Sequence, residues 1–256
     1  MITRFYRSKS DIENLSRLRT SIPTDIDSFD YHGVVVNKPW GYEYLMYDNP
    51  HVAVWTLYLS HGHKTSMHCH PNKKTSLLVV SGEVVCSTLE GWLTRKKGEG
   101  VVIDEGVFHT TRADSSDGAF IIEVESPPNK KDLVRLKDEY GRQNLGYEGT
   151  SQMSKDLDKY EYVDFHNITI VQPTTKILCD ATLSIAHHPQ TDDIQTYIHQ
   201  EQARLLCLLK GKLHAHDGGV ILATGETAVV SQLRRRSHIY AFGDILSFTL
   251  SHGKHH

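Results

Sequence analysis

Gly62-His63-Lys64-Thr65-Ser66-Met67-His68-Cys69-His70, followed by Lys73-Lys74-Thr75 and Gly82, sets two histidines two positions apart. On a strand, side chains at that spacing point to one face. If the face lines a barrel, both imidazoles enter one cavity, and a third ligand must come from another strand. His109 supplies it, at the end of Gly98-Glu-Gly-Val-Val-Ile-Asp104-Glu-Gly106-Val-Phe-His109. A turn at Asp104–Gly106 would aim the next strand back into the barrel. Three imidazoles suit Fe(II), Mn(II), Ni(II), Cu(II) or Zn(II) without choosing among them. Three protein ligands leave positions open for water or substrate, as catalytic sites do. An HxH pair on its own reads equally as two exposed histidines; the long spacing across both segments favours ligands.

Outward from this stretch the texture is that of many short strands. The runs VAVWTLYL, SLLVVSGEVV, GVVIDEG and AFIIEVE are punctuated by Gly, Asp, Asn and Ser, as in a sandwich or barrel. Residues 1–33 read as a helical N-terminal extension, with Asp11 as a cap and Ile12, Leu15 and Leu18 at helical spacing. PPNKKDLVRLKDEYGR opens a charged, helix-capable linker with one or two short helices over 128–162. Strand texture resumes in ITIVQ, KILCDATLSIAHH, ARLLCLLKGKLHAH, GVILATGETAVV and DILSFTL. Leu77–Val84 resembles Leu206–Leu213, and Gly98–Val102 resembles Gly225–Val229, at offsets of 129 and 127 residues. The expectation is an all-β chain of two barrels in tandem, one over 34–127 that carries the three histidines and one over 163–256.

The 256 residues carry a net charge of -3, so nucleic acid is not the expected partner. No apolar stretch is long enough for a membrane helix. The N-terminus lacks the apolar core of a secretory signal, which predicts a cytoplasmic protein. Cys69, Cys86, Cys179 and Cys207 are isolated and read as reduced thiols. Three of the 17 histidines, His252, His255 and His256, form a C-terminal tail set aside from site reasoning.

The two metal-site segments resemble the cupin motifs G-x5-H-x-H-x(3,4)-E-x6-G and G-x5-P-x-G-x2-H-x3-N. Gly62, His68, His70, Gly82, Gly98, Gly106 and His109 match; Thr75 replaces the glutamate, Asp104 the proline and Ala113 the asparagine. The resemblance implies that the barrels are jelly rolls, the second a degenerate copy, and that the first holds one divalent metal (Zn, Fe, Ni or Mn) on His68, His70 and His109. Because the glutamate is missing, Glu43, Glu123 or Glu125 is the candidate fourth ligand. Glu123 and Glu125 share a strand face, which reads first as a solvent face and only then as one turned to the metal. Lys38-Pro39-Trp40-Gly41-Tyr42-Glu43 resembles the opening segment of cupin mannose-6-phosphate isomerases and related sugar-processing cupins. Trp40 could stack on a sugar, or Pro-Trp-Gly could simply anchor a turn. Lys64, Lys73, Lys74 and Arg112 flank the metal and could hold a phosphate or carboxylate. Glu123, Glu125 and Tyr42 are the candidate general bases.

The same motif spacing in the second half places Tyr197 and His199 at the HxH, Arg204 at the glutamate and Arg236 at the last histidine, so no metal is expected there. His187, His188, His214 and His216 leave a second site conceivable. Three functions follow: an isomerase or epimerase on a sugar phosphate or nucleotide sugar, an Fe(II) three-histidine dioxygenase, or a non-catalytic sugar- or metabolite-binding module. The expected partner is a small, anionic, sugar-derived molecule, and the expected assembly a homodimer.

Overall fold

The computed structural model describes residues 1–18, 29–142, 150–168, 172–200, 203–236 and 238–253. The first half contains β1 (Ile2–Phe5), α1 (Lys9–Leu18), β2 (Val35–Lys38), β3 (Gly41–Asn49), β4 (Val52–Leu59), β5 (Met67–Cys69), β6 (Lys74–Ser81) and β7 (Glu83–Thr88). It continues through β8 (Trp92–Lys96), β9 (Gly100–Ile103), β10 (His109–Ala113), β11 (Ala119–Ser126), β12 (Val134–Lys137) and β13 (Met153–Ser154). These strands form an eight-stranded sheet, β1-β9-β6-β11-β4-β3-β2-β13, facing a five-stranded sheet, β12-β5-β10-β7-β8.

The second half contains β14 (Thr174–Leu178), β15 (Ala181–His188), α2 (Thr191–Gln200), β16 (Leu205–Lys210), β17 (Lys212–His214), β18 (Val220–Ala223), β19 (Thr227–Val229), α3 (Val230–Arg234), β20 (Tyr240–Ala241) and β21 (Ile245–His252). Its sheets are β14-β15-β21-β16-β19 and β18-β17-β20. The architecture is all-β, two jelly-roll barrels in tandem.

The eight-stranded sheet is buried on both faces, which explains its near-continuous apolar runs. Leu57, Leu77, Val79 and Ile121 point between the two sheets of the first barrel. Their neighbours Leu78, Val80, Ile122 and Val124 point the other way and pack on Leu183, Leu205, Phe248 and Leu250 of the second. One apolar cluster therefore spans both barrels. Gly225 sits in this contact with φ +80°, and a Cβ there would lie 2.5 Å from Cβ of Ser126. Its carbonyl accepts from Ser76 Oγ at 2.6 Å.

Two expectations, the all-helical N-terminal extension and its Asp11 cap, are corrected. The chain opens with β1, parallel to β9, before its helix begins. Ser8 rather than Asp11 precedes that helix: Ser8 Oγ accepts from Asp11 N, and Asp11 Oδ2 accepts from Ser8 N, a reciprocal cap. Asp11 Oδ1 also accepts from Phe108 N at 2.9 Å, tying the helix to the segment entering His109. The linker holds short helical turns as expected, 3-10 helices at Thr150–Gln152 and Leu157–Lys159, and among its described residues it also supplies two strands. β12 pairs with β5, and β13 with β2. Most of ITIVQ lies outside the described residues, as do His255 and His256 of the tail. Among the described residues, no helix is long and apolar enough to cross a membrane. All four cysteines are free, with Cys179 exposed.

Candidate metal centre

Strand β5 holds His68 between two partners. His109 on β10 is its neighbour on one side and Arg135 on β12 its neighbour on the other. Residues directly opposite on adjacent strands share a face, so both project with His68 into the barrel. Cys69 takes the reverse face and packs with Leu15 and Phe108. His70 follows on the His68 face. The ring centroids lie 4.9 Å (His68–His70), 4.5 Å (His68–His109) and 5.4 Å (His70–His109) apart. Each histidine offers one ligand atom within 4.8 Å of the others.

The three rings are fixed the same way. Nδ1 donates to a backbone carbonyl in each: Ser66 at 2.8 Å for His68, Asp132 at 2.6 Å for His70 and Val107 at 2.9 Å for His109. That bond sets the tautomer and turns the Nε2 lone pair inward, as around bound metals. His70 Nε2 is buried with no hydrogen-bond partner. A buried polar atom left so is costly unless something absent here satisfies it. Burial drives His68 and His70 well below the usual histidine range and His109 down to about 4. Neighbouring His109 adds to this at His68, and Lys73 at His70. Neutral imidazoles with inward lone pairs fit a divalent cation.

The carboxylates come from β11. Glu125 lies opposite Thr75, where the motif glutamate is missing, and Glu123 lies opposite Leu77. Alternation sends both inward while Ile122 and Val124 face the other barrel, so the solvent-face alternative is overturned. Glu123 Oε1 stands 3.9 Å from His70 Nε2. Burial, and next the charge of Glu125, push Glu123 up to about 7. Its neighbour is tied into a buried ionic chain. Lys73 Nζ donates to Glu125 Oε1 at 2.5 Å and to the Asn129 carbonyl at 3.1 Å. Lys130 reaches Glu43 at 3.0 Å and Glu125 at 3.9 Å, and lies 3.6 Å over the Trp55 ring. Lys38 completes the chain at 3.5 Å from Glu43.

The three histidines, Glu43, Glu123, Glu125, Lys38, Lys73 and Lys130 border a cavity of about 70 Å³, together with Trp40, Arg135 and Arg142. Trp40 and Lys73 both line this cavity. Tyr42 does not: as the neighbour of inward Glu43 it takes the opposite face, in an aromatic cluster with Tyr58 and Tyr160. Lys74, next to Lys73, likewise turns away and pairs with Glu226 of the second barrel at 2.6 Å. Arg112 is exposed and pairs with Asp114, and Lys64 pairs with Glu139 outside the cavity. Lys38, Lys130, Arg135 and Arg142 are the lining cations that sequence reasoning missed. A strand reading of DLVRLK, with Leu133 and Arg135 alternating against Val134 and Leu136, would have found Arg135. In the second half Tyr197 and His199 lie on helix α2 rather than on a strand. Among the described residues, the groups of ligand side chains close enough to share an ion all lie in the first barrel.

These shifts make a stability prediction for metal-free protein. An unfolded chain protonates position 109 near the ordinary histidine value, while the folded chain waits until about 4. His109 therefore removes about 3 kcal/mol of stability as pH falls through that window. Glu123, raised to about 7, acts in the opposite direction as pH falls. The difference between His109→Gln and wild type isolates the histidine. Urea unfolding in chelator should show that difference moving in the variant's favour by about 3 kcal/mol between neutral pH and about pH 4. A pH-independent difference would contradict the buried, neutral ring.

No family model matches the chain. No curated protein matches it. Among solved structures it is similar to KdgF from Halomonas sp., with 16% identity, 41% of this chain and 94% of that chain covered, and a TM-score of 0.35. An RmlC-like cupin from Shewanella frigidimarina gives 17% identity, 42% and 95% coverage, and a TM-score of 0.35. The capsular polysaccharide assembling protein CapF from Staphylococcus aureus gives 19% identity, 41% and 34% coverage, and a TM-score of 0.35.

Proposed function

We propose that the first barrel is a metal-dependent isomerase or epimerase acting on a sugar phosphate or nucleotide sugar, with one Zn, Fe, Ni or Mn ion on Nε2 of His68, His70 and His109. The observation that carries this reading is Glu123: a buried carboxyl, raised to about 7, beside the unpartnered Nε2 of His70. A proton carrier works best with its pKa near the working pH. The metal would supply Lewis acidity toward a substrate carbonyl or hydroxyl oxygen. Glu123 takes a proton from the carbon next to the carbonyl and returns it to the former carbonyl carbon, while the hydroxyl proton passes to the former carbonyl oxygen; in epimerisation the proton goes back to the same carbon, from solvent on the other face. Glu125, paired with Lys73 and Lys130, stands beside Glu123 and favours the protonated form of Glu123 after the first transfer. The reading includes a reduced cytoplasmic setting and a homodimer.

A second reading, an Fe(II) dioxygenase, is favoured by the three neutral imidazoles; the adjacent Glu123 favours proton transfer instead. Oxygen consumption separates the two, since isomerisation proceeds without it.

Metal analysis of protein purified without a histidine tag is the direct test. We expect about one divalent ion per chain in wild type and less than a tenth of that in His70→Ala and His109→Ala. Full metal retention in His109→Ala would remove the proposed centre. Glu123→Gln should keep the metal and lose about 10²- to 10⁴-fold in kcat. Unchanged turnover in that variant would exclude Glu123 as the proton carrier.

A further inference from the structure

Helix α1 buries two side chains, Asp11 and Leu15. A buried carboxylate is costly unless donors surround it, and Asp11 has them on both oxygens. Ser8 N and Ser8 Oγ donate to Oδ2, both at 2.8 Å, within the cap of its own helix. Phe108 N, far along the chain, donates to Oδ1 at 2.9 Å. Capping needs only the first two.

The Phe108 N–H and the Val107 carbonyl are the two ends of one peptide group. The carbonyl end accepts from His109 Nδ1 at 2.9 Å. A peptide unit is planar, so whatever grips its N–H also sets the direction of its C=O. A carboxylate on the N–H polarises the group and strengthens the acceptor at the other end. Asp11 thus stands behind a ligand imidazole with one peptide between them. Elsewhere a carboxylate orients a metal-bound histidine by direct contact.

The rest of the N-terminal segment holds the turn that leads to this peptide. Arg4 donates to Asp104 Oδ1 through Nε at 3.0 Å and Nη2 at 2.7 Å. Asp104 N donates to the Phe5 carbonyl at 3.1 Å, a bond that the proline of the motif could not make. Gly106, at φ +75°, lies against Arg7: a Cβ there would meet Arg7 Nε at 2.9 Å. Leu15 packs with Phe108. The carbonyls that hold His68 and His70 belong to Ser66 and Asp132, outside this segment.

We propose that Asp11 is a positioning residue for the metal ligand His109, acting through the Val107–Phe108 peptide, so that the N-terminal segment is a working part of the metal centre. This assignment rests on the metal-centre reading above.

The test uses the full chain and two readouts. Zn²⁺ affinity is measured by competition with a chelator. The His109 tautomer is read in metal-free protein by ¹⁵N NMR, with His109→Gln identifying its signals. Wild type should show the Nδ1–H form. Asp11→Ala should bind Zn²⁺ about 10- to 100-fold more weakly, the usual cost of removing a group that orients a metal ligand, and should show mixed tautomers. Asp11→Asn covers the case in which the alanine variant does not fold; with one oxygen for two sets of donors it should lose at least about threefold. Ser8→Ala weakens the cap and leaves the Phe108 bond. Its urea midpoint should fall, while its Zn²⁺ affinity stays within about threefold of wild type. Zn²⁺ affinity within about threefold of wild type in the Asp11 variants, an equal loss in Ser8→Ala, or an unmixed Nδ1–H form in Asp11→Ala overturns the positioning role. Should wild type take up none of Zn²⁺, Fe²⁺, Ni²⁺ and Mn²⁺, a tautomer that still depends on Asp11 would overturn the metal reading and leave the positioning of the ring standing.

Discussion

Lys73→Met should destabilise the protein by about 3–5 kcal/mol, the usual cost of breaking one side of a buried ion pair. Lys73 is 1% exposed and Glu125 2% exposed, and their 2.5 Å contact leaves no water between them. Methionine nearly matches lysine in volume, so packing is kept and the carboxylate of Glu125 loses its nearest compensation. Lys130, at 3.9 Å from Glu125, is shared with Glu43 and replaces only part of it. Glu125→Gln added to Lys73→Met should recover most of the loss, because the remaining amide carries no charge. Urea unfolding of the two single variants and the double variant gives the coupling directly. A Lys73→Met protein within about 1 kcal/mol of wild type would mean the pair is better solvated than its burial indicates.

The second large effect belongs to the contact between barrels. Phe248 of β21 is fully buried in the cluster that includes Tyr44, Val54 and Val124 of the first barrel and Leu183 and Leu205 of the second. Phe248→Ala should cost about 3–5 kcal/mol. It should also lower the stability of the metal-centre barrel, in which it has no sequence neighbour. Trp40, Trp55 and Trp92 all lie in that first barrel, so tryptophan fluorescence follows it alone, whereas circular dichroism follows both. The two signals should give one coincident transition, shifted together by Phe248→Ala. A fluorescence midpoint left in place while the dichroism midpoint moves would show that the barrels unfold independently.

The sequence made the histidines legible because their spacing matches the two-residue period of a strand and because a turn precedes His109. It left the direction of the carboxylates open for a physical reason. Both faces of the eight-stranded sheet are buried, one against the five-stranded sheet and one against the second barrel. Apolar neighbours such as Ile122 and Val124 therefore do not mark which face is outside. The same ambiguity misplaced Tyr42. Its aromatic ring fills the contact toward the second half, and the adjacent charged Glu43 is the residue that enters the first barrel, against the ordinary expectation that rings go in and charges out. Lys73 and Lys74 differ by one position and so by one face, and only the start of β6 decides between them. Arg135 was hidden by composition: Lys, Leu, Arg and Glu suit a helix, but pairing with β5 takes precedence over that preference.

Helix α2 also separates the two halves chemically. Two positions apart on a strand means the same side; on a helix it means a rotation of roughly 200°. A histidine placed at 197 would point nearly opposite to His199, with Ile194 and Ile198 still rooted in the core. A single substitution therefore cannot rebuild the paired-imidazole grip of the first barrel here, because the backbone beneath it is coiled rather than extended.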